Sequence, residues 1–260
     1  MAATLPNDSS KQTDRLSENA PTPAVPVVGL IPSLLVTGTD TGVGKTLVSG
    51  GLAAELARRG ASVGVMKPFA TGARSVRGRL VSNDALFLKS AAGVDDPLDL
   101  INPICLKPPL APPMAAQVAK TRIDLNQVRS AYATLRRRHS ILIVEGVGGL
   151  LVPLIPGLTV AGFARELRLP LLIVTRPSLG TLNHTALTVL AARSHGLRIL
   201  GLVINQADPG KRGLAERLNP AALQLFTRVP VLGEVPYVGA NPAKALRHPV
   251  FRRIVDGLES

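Results

Sequence analysis

Gly38-Thr39-Asp40-Thr41-Gly42-Val43-Gly44-Lys45-Thr46 follows an apolar run ending in Leu34-Leu35-Val36 and opens an amphipathic segment. A strand that ends in glycines and turns into a helix aims several backbone N–H groups at one spot, where the helix dipole also favours anions. The stretch is therefore a phosphate-binding loop in its proper setting. Lys45 is expected to reach the outer phosphates and the Thr46 hydroxyl to sit on Mg²⁺. The usual spacing leaves four residues between a first glycine and Gly-Lys-Thr; here that first position is Thr39 and the glycine lies one earlier, at Gly38. The loop is a variant, and the variant carries information.

Outward from the loop, apolar β-branched runs alternate with helical patterns. Strands are expected at 34–36, 63–66, 141–144, 171–174, 199–204 and 231–235. The stretch from Val43 to Arg59 reads as a helix, with Leu52 and Leu56 on one face and Gly60 as its C-terminal cap. Strands alternating with helices imply crossover connections, hence an α/β fold of one domain: a mostly parallel central sheet with helices on both faces, the P-loop NTPase architecture. Ligands of such sheets gather at the carboxyl ends of the strands. Residues 1 to about 32, rich in Pro, Ser, Asn and Ala without periodicity, read as a disordered leader to a domain spanning 33–260.

Composition narrows the function classes. With 260 residues and 46% hydrophobic content the chain can bury one substantial core. Aromatic residues are only 3%, so that core is aliphatic, as in parallel sheets. A single cysteine, Cys105, excludes an intramolecular disulfide and points to a reducing, cytoplasmic location. The net charge of +13 could indicate a nucleic-acid or membrane partner. The basic residues are scattered, however, and the densest run, Arg136-Arg137-Arg138-His139, ends a helical stretch where cations complement the dipole. No nucleic-acid or membrane partner is expected.

The residues just past each strand supply the chemistry. Lys67, ahead of Pro68-Phe69-Ala70-Thr71-Gly72, is left at the sheet rim as a second phosphate-directed cation, suited to charge developing on a transferring phosphoryl group. Glu145 in Glu145-Gly146-Val147-Gly148-Gly149 is the expected Mg²⁺ partner, beside glycines that let a ligand approach the backbone. Asp84, within Ser82-Asn83-Asp84-Ala85, is open between a helix N-cap and a ligand role. Asn205-Gln206 and Val235-Pro236-Tyr237 end two later strands and could read a base edge. Gly180-Thr181-Leu182-Asn183-His184-Thr185 offers helix N-terminal amides to a carboxylate.

Together with Leu150-Leu151-Val152-Pro153-Leu154 and Gly233-Glu234-Val235-Pro236, these motifs closely resemble, in family order from about residue 33 to 257, those of the dethiobiotin synthetases. That family shares the five residues between Gly38 and Gly44. The resemblance implies an ATP- and Mg²⁺-dependent closure of 7,8-diaminononanoate and CO₂ into the ureido ring of dethiobiotin, in biotin biosynthesis. By resemblance Lys45 and Lys67 are catalytic; Thr46, Asp84 and Glu145 surround Mg²⁺; and Gly42, Val43, Gly44, Leu47, Gly146, Val147, Gly148, Asn205, Gln206 and Val235 to Tyr237 border ATP. Thr41, Thr71, Gly148 and Asn183 meet the diamine, the last from a neighbouring subunit, which implies a homodimer. Thr71 stands where many members have Ser, Gly42 where Glu is frequent, and Val147 where Ala is common.

Two rival classes share the sheet type. ParA/MinD-like switch ATPases resemble Lys-Gly-Gly-x-Gly-Lys-Thr at the loop, and their extra Lys falls at Asp40 here. Amidation enzymes of cobalamin synthesis carry a further glutaminase domain with a nucleophilic Cys, for which the two dozen or so residues after the last strand leave no room.

Overall fold

The computed structural model describes residue 1 and residues 31–210, 213–239 and 241–259, side chains of 242 and 243 excepted. The expected leader therefore lies almost wholly outside the described residues. Six strands, β1 (Ser33–Gly38), β2 (Val63–Met66), β3 (Ile141–Gly149), β4 (Leu171–Thr175), β5 (Ile199–Asn205) and β6 (Val231–Val235), form one sheet in the order β6-β5-β4-β1-β3-β2. Every neighbouring pair is parallel. The principal helices are α1 (Lys45–Arg58), α2 (Asn83–Ala92), α3 (Leu125–Arg138), α4 (Thr181–Ser194), α5 (Leu214–Thr227) and α6 (Val250–Glu259).

The strands are mostly apolar because both faces are covered, with polar residues chiefly toward their carboxyl ends. Successive residues point to opposite sides, so Leu34, Val36, Ile141, Ile143, Leu172 and Val174 join one core with α1, α2 and α6. Leu35, Leu142, Val144, Leu171 and Ile173 join the other, with α3, α4 and α5. Helix α1 lies close enough to α6 that a Cβ at Gly51 would come within 2.2 Å of the Phe251 ring.

Two local readings are refined. Helix α1 starts at Lys45 rather than Val43, because Gly44 has φ 97 and lies outside helical space. At its other end Gly60 N–H donates to Ala57 O and Ala61 N–H to Leu56 O, the paired bonds of a Schellman cap. Strand β3 does not stop at Val144. It runs on through Glu145 to Gly149, which pairs with Gly38 after a shift in register between Val36 and Gly38. That extension carries Glu145 alongside the end of β1.

Candidate active site

All six strands point the same way, so their carboxyl ends share one edge, and the loop between β1 and α1 lies at its middle. The loop is held from behind. Asn205, the last residue of β5, is buried and donates from Nδ2 to the Val43 carbonyl at 3.0 Å. A Cβ at Gly44 would fall 2.0 Å from that Nδ2, and one at Gly38 would fall 2.7 Å from Val43 and 3.1 Å from Lys45 Nζ. Glycine is thus required at both ends of the turn. Beside Asn205, Gln206 donates its N–H to Val235 O, which brings Val235, Pro236 and Tyr237 to the same side of the loop.

In front of the loop is a compact charged cluster. Thr46, in the first turn of α1, donates its hydroxyl to Glu145 Oε1 at 2.8 Å. Lys67, one residue beyond β2, donates from Nζ to the same Oε1 at 2.5 Å, to Asp84 Oδ2 at 2.9 Å and to Gly146 O at 3.2 Å. Lys67 is not a rim residue; it is 4% exposed. Asp84 reaches it because Ser82, not Asp84, caps α2, its Oγ accepting the Ala85 N–H at 3.3 Å. That division of labour places the Asp84 carboxylate in the cluster. Asn102, which no sequence motif marks, fixes the lysine's backbone by donating to Lys67 O at 2.7 Å and to Ile104 O at 3.0 Å.

The electrostatics come from burial and partners. Burial works to lower the Lys67 pKa, but Glu145 and then Asp84 outweigh it and hold the ammonium above the ordinary lysine value. Lys45 goes the other way. Burial first and the Lys67 charge second bring it down to about 8, against the pull of Glu145, Asp84 and Asp40. Its Nζ donates to Asp40 O at 3.0 Å, folded across the mouth of the loop.

Glu145 Oε2 is buried with no hydrogen-bond partner among the described residues. An orphaned carboxylate oxygen beside the Thr46 hydroxyl, with the partly exposed Asp84 opposite, is a donor set for a hard cation. Among the described residues no group of three or more His, Cys, Asp and Glu stands together, so such a cation needs further oxygens from a phosphate.

Next to the loop runs a groove of about 460 Å³. Thr39, Asp40 and Thr41 form one wall, His184, Leu187 and Thr188 of α4 the other, and Gly149 to Pro153 complete the lining. Gly148 borders Thr41, a Cβ there lying 3.6 Å from Thr41 Oγ1. Thr71 follows a small parallel ladder, Phe69–Ala70 against Ile104–Cys105, outside the charged cluster. Asn183 is exposed in the first turn of α4. Val147 packs against the core on the α3, α4 and α5 side of the sheet, and Leu47, within α1, against the core on the other side.

A family model described as an AAA domain covers residues 32–241. The ATP-dependent dethiobiotin synthetase BioD of Thermodesulfovibrio yellowstonii is 39% identical over 78% of this chain and 88% of its own. That of Aromatoleum aromaticum is 41% identical over 80% and 92%, and that of Bacillus subtilis strain 168 is 38% identical over 83% and 91%. The chain belongs to the dethiobiotin synthetase family. Among solved structures, this synthetase-family chain is similar to the cell division ATPase MinD of Pyrococcus furiosus, with TM-score 0.54 at 18% identity over 88% of this chain and 99% of that one. A ParA family ATPase from Chlorobium tepidum gives 0.53 at 15%, again over 88% and 99%. At such identities the likeness is one of fold alone. It gives this chain the same fold as those two ATPases.

Proposed function

We propose that this protein closes the ureido ring of dethiobiotin from 7,8-diaminononanoate, CO₂ and ATP. The observation that carries the proposal is Lys67: a buried ammonium held between Glu145 and Asp84, in front of a phosphate loop whose Thr39, Asp40 and Thr41 line a groove of about 460 Å³. One amine of the diamine captures CO₂ as a carbamate. The carbamate oxygen attacks the γ-phosphorus of ATP, ADP leaves, and a carbamic-phosphoric anhydride forms. The second amine then attacks the carbamoyl carbon and expels phosphate, closing the ring with loss of its proton. Holding both amines in one groove makes that step intramolecular.

The chain's residues have distinct tasks in this scheme. Backbone N–H groups from Gly42 to Leu47 cradle the phosphates at the start of α1. Lys45 neutralises the outer phosphate, and Lys67 meets the carbamate and the charge that develops during transfer. Thr46, Asp84 and Glu145 would hold Mg²⁺, which when bound offsets phosphate charge and polarises the phosphorus. Thr41, Gly148 and Thr71 border the carbamate and diamine, while Asn205, Gln206 and Val235 to Tyr237 receive the base. The switch-ATPase reading lacks its extra lysine; Asp40 stands there, its carboxylate engaged by the Thr41 N–H and by Arg176.

The substrate carboxylate meets the amides of Gly180 to Asn183 from a second copy, making the protein a homodimer. This is supported by Gly180 at φ 93 opening the start of α4 and by the exposure of Leu179, Leu187 and Leu190 around it. A cytoplasmic location agrees with the single cysteine; among the described residues no helix is long and apolar enough to cross a membrane. The test is dethiobiotin detected by mass, and phosphate release with and without the diamine, in bicarbonate, ATP and Mg²⁺. Dethiobiotin formed only with every component present is expected. Phosphate release indifferent to the diamine but raised by DNA or lipid would overturn the reading.

A further inference from the structure

The last residue of β4, Thr175, is wholly buried and belongs to none of the groups assigned above. Its hydroxyl lies 3.2 Å from that of Thr39 in the phosphate loop, 2.8 Å from that of Thr181 and 2.9 Å from that of Thr185. A threonine hydroxyl has one proton to give and two lone pairs to receive with, so three hydroxyl neighbours fill its capacity. Thr39 is on one wall of the groove; Thr181 and Thr185 are in the first turns of α4, which supplies the other wall through His184, Leu187 and Thr188. The Thr39 N–H to Val174 O bond at 3.0 Å and the exposed Arg176 to Asp40 pair at 3.1 Å tie the loop to the end of β4 on either side of Thr175.

We infer that Thr175 is a positioning residue: its hydroxyl joins the two walls at their base and sets the width of the groove for the diamine's carbon chain. It touches no reacting atom. Its effect is on how well the diamine is seated, and it leaves the phosphate cradle and the Lys67 cluster intact. The inference rests on the proposed reaction, so wild-type dethiobiotin formation is its first control.

The experiment compares steady-state kinetics of T175V, T175S, T39V and the T39V/T175V pair with wild type. The expected result for T175V is a diamine KM raised about tenfold, the worth of roughly one net hydrogen bond, with the ATP KM and kcat close to wild type. T175S, which keeps the hydroxyl, restores the diamine KM. Because T175V already breaks the link that T39V removes, the double variant is expected to match T175V rather than multiply the two effects. Should T175V fail to fold, T39V at the half-buried loop end is expected to give the same KM pattern, and T39S to reverse it. An unchanged diamine KM in folded T175V, a T175S as impaired as T175V, or multiplicative effects would overturn the inference while leaving the reaction standing. A wild-type protein that makes no dethiobiotin would instead overturn the reaction, and this inference with it.

Discussion

Lys45 and Lys67 sit in one cluster, yet burial and neighbours move them oppositely, Lys45 down to about 8 and Lys67 above the ordinary lysine value. The lowered Lys45 pKa means that between about pH 8 and 10.5 the unfolded chain binds more protons than the folded one. Its contribution therefore favours folding increasingly as pH rises through that window. Triphosphate beside it restores the charged form, so ATP binding near pH 8 to 9 is expected to take up a proton. Calorimetry in buffers of different ionisation enthalpy measures this uptake, and Lys45→Arg, which stays protonated, is expected to bind ATP without it. Lys67→Ala is expected to lower kcat by at least about 10²-fold, the scale of one lost transition-state cation or donor. Unchanged turnover would remove Lys67 from the mechanism. Both lysines were legible in the sequence, because each stands at a glycine or proline break beside an apolar run. The depth of Lys67 was not, since it depends on Glu145, 78 residues away.

Among the elements, the loop after α2, the end of α3 and the residue before β2 are locked together at the end of the sheet opposite the site. Asp96 accepts from Arg138 at 2.8 Å and pairs with His139 Nε2 at 2.7 Å, while His139 Nδ1 lies 3.3 Å from Ser62 Oγ. Burial tends to raise the Asp96 pKa, but the bonds from Arg138 and His139 outweigh it and hold the carboxyl below its usual value. A depressed carboxylate pKa contributes stability above the unfolded value of about 3.9, lost as pH falls through the folded one. Asp96→Asn is expected to lower the unfolding free energy by about 1–3 kcal/mol at neutral pH, with the gap to wild type closing below about pH 4 in urea titrations. An equal gap at pH 3 would assign the loss to packing. The Arg136-Arg137-Arg138-His139 run, read as a solvated helix end, is in part this lock: Arg138 and His139 have a buried acid to meet. No local pattern announces it, because Asp96 lies more than forty residues away in sequence.

At the scale of the molecule, apolar side chains remain exposed on the α4 side, among them Leu179, Leu187 and Leu190, next to the groove. Light scattering is expected to give twice the 27.2 kDa chain mass. Leu190→Asp, at an exposed position outside the groove lining, is expected to yield monomer and to raise the diamine KM, since the second copy's helix start is then missing. A monomeric wild type with full activity would refute the shared site. The sequence by itself marked the six strands, the loop and its lysine, the second lysine and Glu145, because each is written as a local pattern: an apolar run, a break, a charged residue at the break. Only the tertiary structure decided the strand order, the continuation of β3 past Glu145, the release of Asp84 from capping by Ser82, the seat of Asn205 behind the loop and the hydroxyl hub at Thr175. These depend on contacts between residues far apart in the chain, and side-chain packing across strands leaves no periodic trace along it.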